Sequence, residues 1–135
     1  MCLIDLKECK GKEFYKVVFK YKGMYYGIYT GVRFCKSRVN VAINSNGYKR
    51  DKAERLMKRS PSEWDSPKIT GFLSRIQALN YQFEISHWID PTVRVRIIKC
   101  KTKGKMWEGK LPWGCTGSGM SAVCTDRASF VKEVN

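Results

Sequence analysis

The sequence predicts an α+β domain, with a mostly antiparallel sheet of about six or seven strands and one or two short helices on one face. Apolar and polar residues alternate near both ends of the chain, which is typical of half-buried strands. The middle of the chain instead carries apolar residues at helical spacing. The chain has 135 residues, of which 43% are hydrophobic and 13% aromatic. We therefore expect a single domain over residues 1–135 with its own core.

The first predicted element is a β-hairpin. Over residues 14–22 the odd positions are apolar (Tyr15, Val17, Phe19, Tyr21) and three even positions are basic (Lys16, Lys20, Lys22). This alternation predicts a strand with one buried and one basic face. A tight turn at Lys22 and Gly23 then leads into an aromatic, β-prone run at residues 24–30. A third short strand is predicted at residues 38–43.

The middle of the chain is expected to be helical and basic. Residues 51–59 place Ala53, Leu56 and Met57 on one stripe, and residues 60–63 resemble a helix-capping box with proline at the first helical position. The next apolar set also has helical spacing and comprises Ile69, Phe72, Leu73, Ile76 and Leu79. We expect a helix over about residues 74–81, from residue 67 at the earliest, with Ser74 as N-cap.

Strands return after residue 81. We expect them at residues 81–88, at residues 92–101 and, after a second Lys-Gly hairpin turn at residues 103–104, at residues 105–111. A glycine-containing loop at residues 112–119 precedes two more strands at 120–124 and 129–134.

The charge balance indicates the kind of partner. Lys and Arg number 26 against 12 Asp and Glu, a formal net charge of +14. A folded domain with this surplus repels itself, so we expect an anionic partner, either nucleic acid or an acidic protein surface. The oligomeric state is left open.

Cations interleaved with aromatic rings identify the candidate binding residues. Cations attract phosphates, and unstacked bases lie on flat rings. The candidates are Lys16, Lys20, Lys22, Tyr25, Tyr26, Lys49, Arg50, Arg55, Arg94 and Arg96. The alternative is that the aromatic residues belong to the core and the lysines to an ordinary solvated face.

Catalytic and metal chemistry have little support in the sequence. His87 is the one histidine, no nucleophile is paired with a base, and the six cysteines lack zinc-knuckle spacing. We expect a non-enzymatic protein without metal or cofactor, its cysteines as free thiols. The loop at residues 113–119 leaves open the sequestration of a phosphorylated small molecule by a backbone anion nest.

We also expect a cytoplasmic protein that does not enter a membrane. No stretch reaches the roughly 18 apolar residues that span a bilayer. Residues 1–8 lack the basic and apolar regions of a signal peptide.

The second half of the chain resembles a family. Gly71 and Phe72 are followed by Ala78 and Leu79, then by residues 93–95, residues 103–109, Ala122, Asp126 and residues 130–134. This order is similar to small uncharacterised α+β domains of bacteriophage and bacterial accessory proteins, over residues 70–135. Leu73 departs from the aromatic residue or histidine usual after Gly-Phe.

The resemblance implies a phage-type accessory protein without catalytic residues, found in the host cytoplasm if phage-encoded. Such proteins act on host machinery or on immunity systems. Together with the charge, this favours a non-catalytic binder of nucleic acid or of a nucleoprotein complex. The alternative is an anti-defence inhibitor that docks on a host or defence enzyme, with exposed hot spots among Trp64, Trp88, Trp107, Trp113 and Arg127.

Overall fold

The computed structural model describes residues 3–28, 33–41, 69–87, 93–111 and 118–135. Over these residues the chain is mostly β, with one helix, and the prediction of an α+β fold with a single sheet is wrong. The elements are β1 (Ile4–Cys9), β2 (Glu13–Tyr21), β3 (Met24–Gly27), β4 (Arg33–Phe34), β5 (Asn40–Val41), β6 (Ile69–Gly71), α1 (Arg75–Ser86), β7 (Arg94–Thr102), β8 (Met106–Lys110), β9 (Ser121–Thr125) and β10 (Arg127–Glu133).

The strands form two antiparallel sheets. The first has the order β1-β8-β9-β6 and the second the order β4-β3-β2-β7-β10-β5. Because β7 and β8 lie in different sheets, the predicted second Lys-Gly hairpin is wrong, and residues 103–105 form a corner between the sheets. The Lys103 amide donates to the Arg127 carbonyl at 2.9 Å, and the buried Thr102 and Thr125 hydroxyls are 2.7 Å apart. These bonds hold the corner in place.

The first predicted hairpin is confirmed. Strands β2 and β3 pair through a two-residue turn in which Lys22 has φ 51° and Gly23 has φ 76°. Positive φ at both central residues matches the type I′ turn that suits the twist of a hairpin. The predicted third strand over residues 38–43 begins later than expected, at Asn40, and its predicted end at residues 42–43 lies outside the described residues.

The second sheet curls into a nearly closed barrel. Its two edge strands, β4 and β5, are joined by only residues 35–39. The Asn40 side chain accepts a hydrogen bond from the Cys35 amide at 2.7 Å and donates to the Cys35 carbonyl at 3.0 Å. Two backbone hydrogen bonds of 2.7 Å between Tyr15 and Phe72 connect the end of β6 to β2, and so join the first sheet to the second.

Both faces of β2 are buried along most of its length, which the simple alternation did not predict. One face lies in a core cluster inside the barrel; this cluster comprises Phe14, Val18, Tyr25, Phe34, Ile98, Cys100 and Ala128, with Ile69, Met106 and Val123 from the first sheet. The other face packs Val17 against α1. A strand buried on both sides cannot present a continuous basic face to solvent.

Helix α1 covers the outer face of the second sheet. Ser74 is its N-cap as predicted, and the Ser74 hydroxyl accepts a hydrogen bond from the Ile76 amide at 3.2 Å. The helix runs to Ser86, so the predicted strand over residues 81–88 is wrong. Its buried residues are Ala78, Tyr81 and Ile85, at a spacing of three and four residues.

The apolar stripe predicted for this helix is also wrong. Ile69 belongs to β6 and Phe72 to the bridge with β2, while Ile76 is 70% exposed. Backbone pairing with β9 and β2 takes the first two positions out of the helix, and the helix then buries a different face. Within the described residues, no helix is long and apolar enough to cross a membrane.

Candidate anion-binding site

Cationic side chains converge at the end of the barrel where β2 turns into β3. The register places Lys20 opposite Arg94, and Val18 opposite Arg96, so these three cations lie on the face of the sheet that lines the barrel. Lys36 reaches the same place from the loop between β4 and β5, with its Nζ 4.9 Å from the centre of the Tyr25 ring. We call the set Lys20, Lys36, Arg94 and Arg96 the basic mouth.

One carboxylate stands among these cations. Glu133, the last residue of β10, accepts hydrogen bonds on Oε1 from the Tyr25 hydroxyl at 2.8 Å and from Lys20 Nζ at 3.0 Å. Partial burial by itself raises the pKa of Glu133, but the hydrogen bonds from Tyr25 and Lys20 and the charges of Lys20 and Arg96 outweigh it, so that its pKa is lowered. Four cations against one carboxylate leave the basic mouth strongly positive.

Among the described residues, the chain segments that carry the cations of the basic mouth contain no acidic residue. Residues 14–28, 33–41 and 93–98 together carry eight Lys and Arg and no Asp or Glu. At the other end of the sheet, Lys99 pairs with Glu13 at 3.1 Å and Lys105 approaches Glu8 at 4.0 Å. The cations of the basic mouth instead share the single carboxylate of Glu133 among the ion pairs of the described residues.

Lys16 lies apart from the other candidates. Its side chain is only 8% exposed, and its Nζ donates to the Thr70 carbonyl at 3.2 Å. Burial lowers the pKa of this amine, with a smaller opposing effect from the nearby Cys100. Since the ammonium group faces the protein interior, Lys16 is not part of the basic mouth.

The aromatic candidates occupy different positions. Tyr25 is buried and stacks on Phe130 with ring centroids 5.5 Å apart. Its pKa is raised to about 12, first by burial and then by the hydrogen bond to Glu133. Tyr26 is half-buried on the opposite face of β3, and its hydroxyl lies 3.9 Å from Met24 Sδ. Tyr25 therefore positions Glu133 and does not offer a ring to a ligand.

The hairpin tip carries an exposed aromatic residue. Tyr21, which the alternation assigned to the core, is 61% exposed because β2 extends one residue beyond its last pairing with β7. Lys22, a predicted candidate, is exposed in the turn, with its Nζ 5.3 Å from the centre of the Tyr21 ring.

Several predicted features lie outside the described residues. They are Lys49, Arg50, Arg55, Trp64, Trp88 and Trp113, together with the predicted helices over residues 51–66. Trp107 is half-buried against the core, and Arg127 is exposed at the opposite end of the barrel. Most of the glycine-containing loop also falls outside, but the Gly119 amide donates to the Leu111 carbonyl at 2.9 Å and so has a partner within the protein.

The described residues include two further side chains of chemical interest, His87 and Cys100. His87 lies at the C-terminus of α1, with Nδ1 2.8 Å from the Phe83 carbonyl oxygen. Burial raises the pKa of the Cys100 thiol to about 12, which keeps it protonated and unreactive at neutral pH. Within the described part of the chain, no three His, Cys, Asp or Glu side chains are grouped as metal ligands.

Sequence reasoning missed two members of this arrangement. Lys36 lies in a short loop without periodicity, and it reaches Tyr25 because β4 pairs with β3, which places Phe34 opposite Tyr25. Glu133 is 113 residues from Lys20 along the chain, and no local pattern relates the two. Comparisons of the chain with protein-family models, with curated proteins and with solved structures found no match.

Proposed function

We propose that this protein is a non-catalytic binder of nucleic acid, free or within a nucleoprotein complex, and that the basic mouth is its phosphate-binding surface. The observation that carries the proposal is the convergence of Lys20, Arg94 and Arg96 on one sheet face, in segments without acidic residues. Phosphates of a polyanion would bind these cations and release counterions.

The like charges at the basic mouth carry a cost to folding, which supports a binding role. Lys20 and Arg94 are directly opposite each other on adjacent strands. A like-charge pair in this position destabilises a sheet by roughly 0.2–1 kcal/mol. Glu133 offsets part of this repulsion through Lys20. A phosphate of a ligand would offset the remainder.

The proposal is tested by two matched substitutions at opposite ends of β7. Arg94→Ala removes a cation of the basic mouth, whereas Lys101→Ala removes an equally exposed cation far from it. Binding of a labelled oligonucleotide is measured between about 50 and 200 mM salt. We expect Arg94→Ala to weaken binding and to reduce the log–log salt slope by about one, with a smaller effect from Lys101→Ala. Equal effects of the two substitutions would show that only overall charge matters.

The proposed cellular role is that of a phage-type accessory protein. It rests on the proposed binding of nucleic acid and on the resemblance of residues 70–135 to phage and bacterial accessory proteins. An accessory protein in the cytoplasm of a host cell would meet nucleic acid and nucleoprotein complexes there. Binding at the basic mouth would compete with other proteins for the same phosphates. This requires neither catalysis nor a cofactor.

A second candidate function is docking on a host or defence enzyme as an inhibitor. The observation that favours it is the outer face of α1, where Ile76 is 70% and Phe83 is 66% exposed. Exposed apolar side chains seven residues apart share one helix face, and such faces mark protein interfaces. Pull-down after nuclease treatment would test it. A stoichiometric protein retained by the wild type and by Arg94→Ala, but lost with Phe83→Ser, would support docking through α1.

A further inference from the structure

We infer that the basic mouth takes single-stranded rather than duplex nucleic acid, with a base stacked on Tyr21. This inference rests on the proposed function and specifies its ligand. Its starting point is the position of Tyr21 at the tip of the β2–β3 hairpin. Tyr15, Val17 and Phe19 on the same face of β2 pack in or against the core, but Tyr21 is 61% exposed.

Packing within the described residues does not account for this exposed ring. Tyr21 lies beyond the last residue pair between β2 and β7, and its partner across the hairpin is Met24. An exposed tyrosine at a hairpin tip buries little apolar surface, so its packing contributes little to the stability of the fold. A ring held on a two-residue turn is, however, well placed to receive a flat ligand.

One cation lies close to this ring, and others lie near the hairpin tip. Lys22 Nζ is 5.3 Å from the ring centre. Arg33 is opposite Tyr26 on the same outer face as Tyr21, whereas Lys20 and Arg94 lie on the opposite, barrel-lining face. A chain of nucleotides crossing the tip would place phosphates near these cations while one base reaches Tyr21. Lys22 covers one face of the ring, which leaves the other face for a base.

A duplex could not use this arrangement. Its bases are stacked on one another inside the helix, whereas single strands can turn a base out onto an aromatic ring. Proteins that bind single strands combine a basic groove with such rings, and each stacked base contributes to affinity without sequence preference. The geometry of the tip therefore favours unpaired segments of any sequence.

The test uses an oligothymidylate of about 12 nucleotides, within the usual site size for one small domain, and compares it with a duplex and with an abasic chain of the same length. Tyr21→Leu removes the ring, Tyr21→Phe keeps it, and Phe83→Leu removes an equally exposed ring on α1. We expect Tyr21→Leu to weaken oligothymidylate binding about tenfold. Tyr21→Phe and Phe83→Leu should bind as the wild type does.

The abasic chain separates this inference from the proposed function. We expect wild type and Tyr21→Leu to bind it equally, because it offers phosphates but no base. Equal binding of oligothymidylate by these two proteins, or tighter binding of the duplex by the wild type, would overturn the inference and leave phosphate binding intact. Absence of salt-dependent binding to any of the three ligands would overturn the proposed function itself.

Discussion

The Tyr25 hydroxyl donates a 2.8 Å hydrogen bond to Glu133 across 108 residues of sequence. The same carboxylate oxygen accepts from Lys20 at 3.0 Å. Glu133 thus ties the first hairpin to the last strand at the open end of the barrel. It also occupies a position among cations where a phosphate of a ligand could bind.

Replacing this carboxylate should strengthen polyanion binding. In Glu133→Gln the side chain keeps its shape and can still accept from Tyr25, but the negative charge is gone. We expect a several-fold gain in affinity for an oligonucleotide at low salt, since Lys20 is then free to bind phosphate. Glu13→Gln, which releases Lys99 near the other end of β2, is the control and should give a smaller gain. Unchanged or weaker binding by Glu133→Gln would contradict this prediction.

Two lysines on the same face of β2 should behave differently. Lys20→Met removes a cation of the basic mouth and should weaken oligonucleotide binding. Lys16→Met should leave binding unchanged, because the Lys16 side chain is buried. Burial of the Lys16 amine carries a desolvation cost that one hydrogen bond to the Thr70 carbonyl offsets only in part, so we expect Lys16→Met to keep or raise the stability of the fold. Binding titrations and urea denaturation measure the two effects. Similar losses of affinity in both variants would contradict the prediction.

Arg94 should lower the stability of the fold and raise its affinity for an oligonucleotide. Arg94→Thr removes one of two like charges that face each other across β2 and β7, and threonine suits a strand. We expect stability to rise by roughly 0.2–1 kcal/mol while oligonucleotide affinity falls. Chemical denaturation and binding titration of the same preparation check the two directions. A loss of both would indicate that Arg94 supports the fold.

The pH dependence of stability should reveal the Tyr25–Glu133 contact. The folded-state pKa of Tyr25 is raised from 10.0 to about 12, so the stabilisation is complete below pH 10 and is lost as the pH rises towards 12. The pKa of Glu133 is lowered from 4.5, so its contribution is present above pH 4.5 and is lost as the pH falls further. Tyr25→Phe should lower stability by about 1–2 kcal/mol at neutral pH.

The comparison of wild type with Tyr25→Phe isolates the effect of the Tyr25 hydroxyl. Lys16, whose pKa is lowered by burial, also changes stability at alkaline pH, but it does so in both proteins. We expect the difference in unfolding free energy between them to shrink between pH 10 and 12. A difference that stays constant over that range would show that the hydroxyl does not ionise later in the folded protein.

Gly71 should be required for the contact between the two sheets. A Cβ at this position would lie 2.6 Å from the Tyr15 carbonyl oxygen and would also overlap Phe14 Cδ2. The oxygen belongs to the backbone and cannot move easily, so we expect Gly71→Ala to lower stability by about 1–3 kcal/mol. Gly104→Ala is the control, since a Cβ there meets no atom within 4 Å. Equal stability of the two variants by thermal unfolding would refute this account.

Local patterns in the sequence predicted some elements well and others poorly. Alternation located β2 and β7, and the Lys22-Gly23 pair located the first turn. Alternation failed to show that Lys16 is buried, because its environment depends on β6, which lies more than 50 residues away. Helical spacing at Ile69 and Phe72 was overridden by backbone pairing with β9 and β2, and the real helix begins at Arg75 and continues through the predicted strand.

The sequence by itself determined the surplus of positive charge, the first hairpin and the cap of the helix, because composition, turn chemistry and capping depend on single residues or on near neighbours. Only the tertiary structure decided that Lys16 is withdrawn into the core, that Tyr21 is exposed, and that Lys36 and Glu133 meet Lys20 at one end of a barrel. Those outcomes depend on which strands pair and on how far the sheet curls. Hydrogen bonding and burial between distant segments determine both.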